Sequence, residues 1–219
     1  MNDLIIIGCG GLGRETAWTA ERINSVKQSW NILGFIDDNP EMKGKTFDGY
    51  PVIGGCETAT EHRNAYFICA VGRAAVRKII VEKLKKILPE IKFATLIDPS
   101  AVICAERTRV GEGSIICGGT YITLDIVIGE HTYIGGNCTV GHDARLGEFT
   151  TLYPASSVSG NAQLGNCCEL GTGARIIQGI TVGENTIIGA GATVIRNLPE
   201  NCTAVGTPAK PIKIHTKKV

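Results

Sequence analysis

Residues 139–170, TVGHDARLGEFTTLYPASSVSGNAQLGNCCEL, carry a branched aliphatic at every sixth position: Val140, Leu146, Leu152, Val158, Leu164 and Leu170. A period of six suits neither a helix, whose apolar face returns every 3.6 residues, nor an ordinary strand, which alternates every second one. It suits a coil in which six residues make one short strand and one corner, so that three such units close one turn of a triangular prism. The ladder runs on unbroken through Val110, Ile116, Ile122, Ile128 and Ile134 on one side and Ile176, Val182, Ile188 and Val194 on the other. Fifteen rungs give about five coils, a prism roughly 24 Å long at strand spacing. The aliphatic should fill the axis, and the fourth residue after it is usually small, as in Ser114, Cys138, Ala144, Thr150, Ala162 and Ala174. The residue directly after it is often Gly, as in Gly111, Gly129, Gly141, Gly147, Gly165, Gly171 and Gly183, where a corner is expected to have no room for a Cβ.

Upstream the grammar differs. Apolar runs at 4–7, 32–36, 66–71 and 92–97 predict strands, and 14–26 and 73–88 predict helices. Short buried strands alternating with amphipathic helices specify a parallel sheet, a Rossmann-like βαβ domain. In the second helix Val76, Ile79, Ile80, Leu84 and Ile87 form the expected buried stripe, with Arg77, Lys78, Lys83, Lys85 and Lys86 on a solvated face. Asp98-Pro99 divides the halves, giving an α/β domain over 1–97 and an all-β prism with a C-terminal tail over 98–219.

Composition narrows the function classes. With 219 residues, 43% hydrophobic, and a formal net charge of +1 whose basic residues are dispersed, the chain has no nucleic-acid face, and a small-molecule ligand is expected. No apolar run is long enough to span a bilayer, so no membrane partner and a cytoplasmic location are expected. Nine cysteines occur without any C-x-x-C pair; in a reducing compartment Cys117, Cys138, Cys167, Cys168 and Cys202 read as small buried hydrophobes, and no metal site is expected.

Two motifs carry chemistry. Gly8-Cys9-Gly10-Gly11-Leu12-Gly13 follows a strand and opens a helix, the arrangement that brings backbone N–H groups and a positive helix end to a phosphate. It also satisfies G-x-G-x-x-G, with Asp37 and Asp38 ending the next strand, so an NAD(P)-binding oxidoreductase stays open as an alternative, although the strands look too few for two mononucleotide halves. His142 stands two residues past a rung and should face out from a corner, where a neutral imidazole can take a proton and the adjacent Asp143 can steady it.

Gly141-His142-Asp143 among these repeats, followed by Gly189-Ala190-Gly191-Ala192 and Val205-Gly206-Thr207-Pro208-Ala209-Lys210, resembles the bacterial left-handed β-helix (hexapeptide-repeat) sugar O-/N-acyltransferases, which include sialic-acid O-acetyltransferases and nucleotide-amino-sugar N-acetyltransferases. The resemblance covers nearly the whole chain. It implies transfer of acetyl from acetyl-CoA to an amino, or alternatively hydroxyl, group of a sugar, with His142 as base, Asp143 beside it and the Gly160 N–H on the thioester carbonyl. It places coenzyme A along Thr172, Ala190 and Gly191 with its adenine end near Gly206 and Lys210. It implies a nucleotide-linked sugar on the first domain, the pyrophosphate at Gly8, Gly10, Gly11, Leu12 and Gly13, the base near Asp37 and above all Asp38, and a further loop at Gly72 and Arg73. Members commonly have Asn where this chain has Arg73, and some have a second His where it has Thr151. Homotrimers with acetyl-CoA clefts between subunits are implied. Some β-helix carbonic anhydrases bind zinc through three histidines, but His131 and His142 lack that spacing.

Overall fold

The computed structural model describes residues 1–215, leaving only the last four of the expected tail outside it. Every rung of the ladder is the second residue of a two-residue strand, as in Thr139–Val140, Arg145–Leu146 and Thr151–Leu152. Each strand pairs in parallel with the one eighteen residues later, Val140 with Val158 for example. Three sheets result. Face one runs from Leu96–Ile97 to Cys202–Val205, face two from Val102–Ile103 to Thr193–Val194, and face three from Arg109–Val110 to Thr181–Val182. Leu96–Ile97 and Val102–Ile103 are rungs that the six-residue count misses, because seven residues separate Ile103 from Val110. Lys210–Ile214 turns back antiparallel on Cys202–Val205 and closes the far end.

Ile134, Leu152, Leu170 and Ile188 fill the axis at 0% exposure, and Cys138, Ala144, Ala162 and Cys168 pack between them. The turn of each corner falls two residues beyond the glycine that follows the rung. The left-handed residue is the third after each rung and is often not glycine: Asp125, His131, Asn137, Asp143, Phe149, Ala155, Asn161, Cys167 and Asn185 have φ between 53° and 61°. The glycine directly after the rung is needed for stacking. A Cβ on Gly141 would stand 2.6 Å from Gly160 N, and one on Gly129 2.5 Å from Glu148 N. These glycines let one coil lie against the next.

The first domain has a sheet of β1 (Asn2–Ile7), β2 (Trp30–Ile36), β3 (Thr46–Phe47), β4 (Tyr50–Gly54), β5 (Tyr66–Cys69) and β6 (Lys92–Phe93), in the order β3-β4-β2-β1-β5-β6. All neighbours are parallel except the β3–β4 hairpin, which turns at Asp48-Gly49 with both φ positive. The expected strand 92–97 splits. Its first half is β6 and its second is the first rung of face one, so the domains meet at 94–95.

Alternation along β1 sends Leu4 and Ile6 toward α1 (Gly11–Val26) and Ile5 and Ile7 toward α2 (Ala74–Ile87). The stripe expected on α2 is rotated. Ala74, Arg77, Val81 and Leu84 are buried, whereas Ile79 is 65% exposed. Prism residues join both cores: Leu96, Ile115 and Tyr133 on the α1 side, Phe149 and Cys167 on the α2 side. The first domain therefore lies against the early coils of face one and of the edges that bound it. No helix among the described residues is long and apolar enough to cross a membrane.

Candidate active site

His142 and Asp143 lie on the edge between faces two and three, after the rung Val140. The left-handed φ of 60° at Asp143 brings its carboxylate back to the ring, and His142 Nδ1 lies 2.8 Å from Asp143 Oδ2. With the proton on Nδ1 donated to that carboxylate, Nε2 carries the free lone pair. Both side chains are at least half exposed, so the edge presents a base to whatever meets it.

Gly160 occupies the same corner one coil on. A Cβ there would fall 2.7 Å from His142 Nε2 and Cε1, so the imidazole rests against the Gly160 backbone and needs glycine at that height. Asn161 N donates to His142 O at 2.8 Å and fixes the coil spacing at the diad. The Gly160 N–H donates to no acceptor among the described residues.

Thr172, Ala190, Gly191 and Gly206 gather on another edge, between faces one and two. Gly191 N donates to Thr172 O at 2.9 Å, and Thr193 N to Gly206 O at 3.0 Å. A Cβ on Gly173 or Gly191 would meet nothing within 4 Å, so the backbone here is open to an extended ligand. Lys210 follows, exposed and paired with Val205. Gly160 and the other expected coenzyme residues thus stand on opposite borders of face two.

The glycine loop sits at the carboxyl ends of β1, β2 and β5, where connections leave the sheet in both directions. Open parallel sheets bind ligands at such a switch point. Gly13 is fixed by helix–strand packing, since a Cβ there would lie 1.9 Å from Gly8 O. Gly10 and Gly11 are free of such neighbours and line a cleft of about 470 Å³ with Cys9, Arg14, Asp37 and Lys45. Asp37 accepts from Cys9 N (3.1 Å) and Asn39 N (2.9 Å).

Asp38 points elsewhere. Its Oδ1 accepts from Cys56 N (2.9 Å) and its Oδ2 pairs with Lys83 Nζ (2.7 Å). Burial raises the Asp38 carboxyl, but these donors outweigh it and hold it below the usual carboxylate range. With Val71 it lines a narrower cleft of about 180 Å³. A Cβ on Gly72 would lie 3.6 Å from the Tyr153 ring and 4.0 Å from Leu12, and Arg73 is the exposed N-cap of α2.

Sequence reasoning passed over a third opening. A cleft of about 440 Å³ lies between α1 and the edge shared by faces one and two, lined by Glu15, Trp18, Arg22, Asp98, Tyr133 and Pro154 among others. Arg22 holds Asp98 by two bonds of 2.6 and 3.0 Å, and Trp18 is 58% exposed above it. A shallower opening at Gly11, Arg14, Glu15 and Trp18 joins this cleft to the glycine loop. The signal was available: Trp18 and Arg22, four apart, share one side of α1, with the guanidinium 5.2 Å from the Trp18 ring centroid.

Thr151 is fully buried between the domains, remote from the diad. Arg77, expected on a solvated face, is 1% exposed and bonds to the same contact. Among the described residues no three His, Cys, Asp or Glu side chains gather as metal ligands would.

The PglD N-terminal domain family matches residues 3–84, the bacterial transferase hexapeptide family (six repeats) residues 161–196, and the hexapeptide repeat of succinyl-transferase residues 125–143. No curated protein matches by sequence. Among solved structures, a point mutant of perosamine N-acetyltransferase from Caulobacter crescentus in complex with CoA and GDP-perosamine is 30% identical over 97% of this chain and 98% of that one, with a TM-score of 0.88. The acetyltransferase domain of PglB from Neisseria gonorrhoeae, in complex with acetyl coenzyme A, is 28% identical over 97% and 100%, with a TM-score of 0.84. WeeI from Acinetobacter baumannii shares the fold at 24% identity over 97% and 100%, with a TM-score of 0.82.

Proposed function

The chain belongs to the left-handed β-helix sugar acyltransferases of the PglD-type, hexapeptide-repeat family, and from that premise we propose that it acetylates the amino group of a nucleotide-linked sugar, using acetyl-CoA. The observation that carries the mechanism is the His142–Asp143 diad seated on Gly160. Nε2 of His142 takes a proton from the amine as its nitrogen attacks the thioester carbonyl, and Asp143 steadies the imidazolium. The Gly160 N–H donates to the carbonyl oxygen as charge develops there. The C–N bond forms, the C–S bond breaks, and the proton on His142 passes to the departing thiolate. Thr172, Ala190 and Gly191 hold the coenzyme along the open edge, with Gly206 and Lys210 at its nucleotide end.

One chain does not assemble this site. The diad stands on the prism edge opposite face one, while the first domain, which carries the glycine loop, lies against face one. An edge of one subunit meeting the neighbouring subunit's edge between faces one and two joins His142 and Gly160 to Thr172, Ala190 and the cleft under Trp18. We therefore read the active form as a cytoplasmic homotrimer with three shared sites. The nucleotide lies at Gly10, Gly11 and Asp37, and the sugar extends along α1.

The test is release of the CoA thiol with a panel of GDP-, UDP-, dTDP- and CMP-linked amino sugars, comparing wild type with His142→Ala. A loss of roughly 10²–10⁴ in kcat is expected of a general base. Undiminished turnover in the variant would remove His142 from the mechanism, and a monomer in light scattering would remove the shared site.

A further inference from the structure

A guanidinium is buried where the two domains meet, and its hydrogen bonds run to both. Arg77, on the first turn of α2, donates Nε to His131 O (2.8 Å), and Nη2 to Phe149 O (2.8 Å), Thr150 O (3.1 Å) and Thr151 Oγ1 (2.9 Å). Nη1 turns back to Val71 O (2.6 Å) and Gly72 O (2.9 Å). All five N–H groups of the fork are thus engaged, four acceptors belonging to the prism and two to the loop before α2. The Thr151 hydroxyl, which receives one of these bonds, donates to Gly72 O at 2.7 Å. A fifth prism residue, Glu169, accepts from Ala74 N at 2.9 Å and so caps the same helix.

The clamped loop is not remote from the nucleotide site. A Cβ on Gly72 would lie 4.0 Å from Leu12 Cδ2, and one on Gly8 3.4 Å from Val71 Cγ2, so the two loops are neighbours. Resting on the proposed nucleotide-sugar function, we propose that Arg77 and Thr151 are positioning residues. They fix residues 71–73, and through them the glycine loop, against the prism, so that affinity for the nucleotide half depends on groups that never touch it. Arginine is required because a lysine supplies three donors on a point, where six acceptors surround a plane.

The test uses Arg77→Lys and Thr151→Val in the full-length protein; if Arg77→Lys folds poorly, the near-isosteric Thr151→Val decides. KM for the nucleotide sugar should rise about tenfold in Arg77→Lys and about fivefold in Thr151→Val, with KM for acetyl-CoA changed less than about twofold. Backbone amides at 8–13 and 71–73 should exchange faster in both variants, while amides of the distant coils keep their rates. A lowered melting temperature with nucleotide-sugar KM and both loops' exchange unchanged overturns the proposal, leaving only a structural weld. Wild type that acetylates no nucleotide-linked amino sugar would instead defeat the proposed function, and the exchange experiment would still decide the positioning role.

Discussion

Acidification from pH 7.5 to pH 5 should cost the folded chain about 2 kcal/mol through one side chain, His131. It is fully buried on the edge between faces three and one, edge-on to Phe93 at 4.6 Å and stacked on Phe149 at 5.0 Å between ring centroids. Neither ring nitrogen has a hydrogen-bond partner, so nothing compensates a charge placed there. Burial, with Lys85 and Arg77 nearby adding to it, pushes its pKa down to about 3. In the unfolded chain the same imidazole titrates near 6.5. Between those values the unfolded chain takes up a proton that the native chain refuses. Stability is therefore flat above about pH 7.5, falls by about 1.4 kcal/mol per unit below 6.5, and levels off near pH 3 after a loss of about 5 kcal/mol. The control is His131→Phe, because the equivalent corner of the next coil already holds Phe149 at φ 57°. Urea unfolding at pH 7.5, 6 and 5, at one ionic strength and protein concentration, gives the two profiles. Wild type should lose about 2 kcal/mol more than the variant by pH 5. Parallel profiles would refute the reasoning, since every other titrating group is common to both proteins.

Gly160→Ala should lower kcat at least about tenfold with little change in melting temperature, because the new Cβ displaces the His142 ring that rests 2.7 Å from its position; normal turnover would show that the ring position is not critical. Asp143→Asn should lower kcat by roughly tenfold, a modest loss because the pair is half exposed, measured by thiol release across pH. Gly13→Ala should destabilise the protein by about 3 kcal/mol in urea unfolding, its Cβ meeting Gly8 O at 1.9 Å. A stability change under about 1 kcal/mol in that variant would mean that α1 can lift from β1 at little cost.

The prism was legible because a period of six has no competing interpretation, and the first rungs, Ile97 and Ile103, escaped the count for a local reason, the seven-residue step between Ile103 and Val110. The diad was legible as a surface pair from its distance to the rung. Arg77 was not. Its neighbours Val76, Ile79 and Ile80 gave a plausible apolar stripe, and only the docking of α2 on a prism edge turns the helix so that an arginine faces inward. The orientation of Asp38 was equally hidden: the sequence places an acid at the strand end, but Lys83, forty-five residues later, decides where it points. The Asp48-Gly49 hairpin was readable and overlooked, since that dipeptide marks a tight reversal on its own. The separation of the glycine loop from His142 within one chain is a property of the prism's threefold cross-section, which no local pattern encodes.

The coil-on-coil contact made by glycines such as Gly141 and Gly147 gives the prism a quantum of length. Eighteen residues added or removed shift everything beyond them by one strand spacing along the axis and restore every side chain to its own face. A smaller change has to be absorbed at a corner, as the extra residue between Ile103 and Val110 is, or it rotates the remainder around the axis as well. An inserted coil between Leu170 and Ile188 would move the closing strand at Lys210 one strand spacing further from the His142 corner, lengthening the reach that the proposed site asks of the coenzyme while leaving His142 and Gly160 untouched.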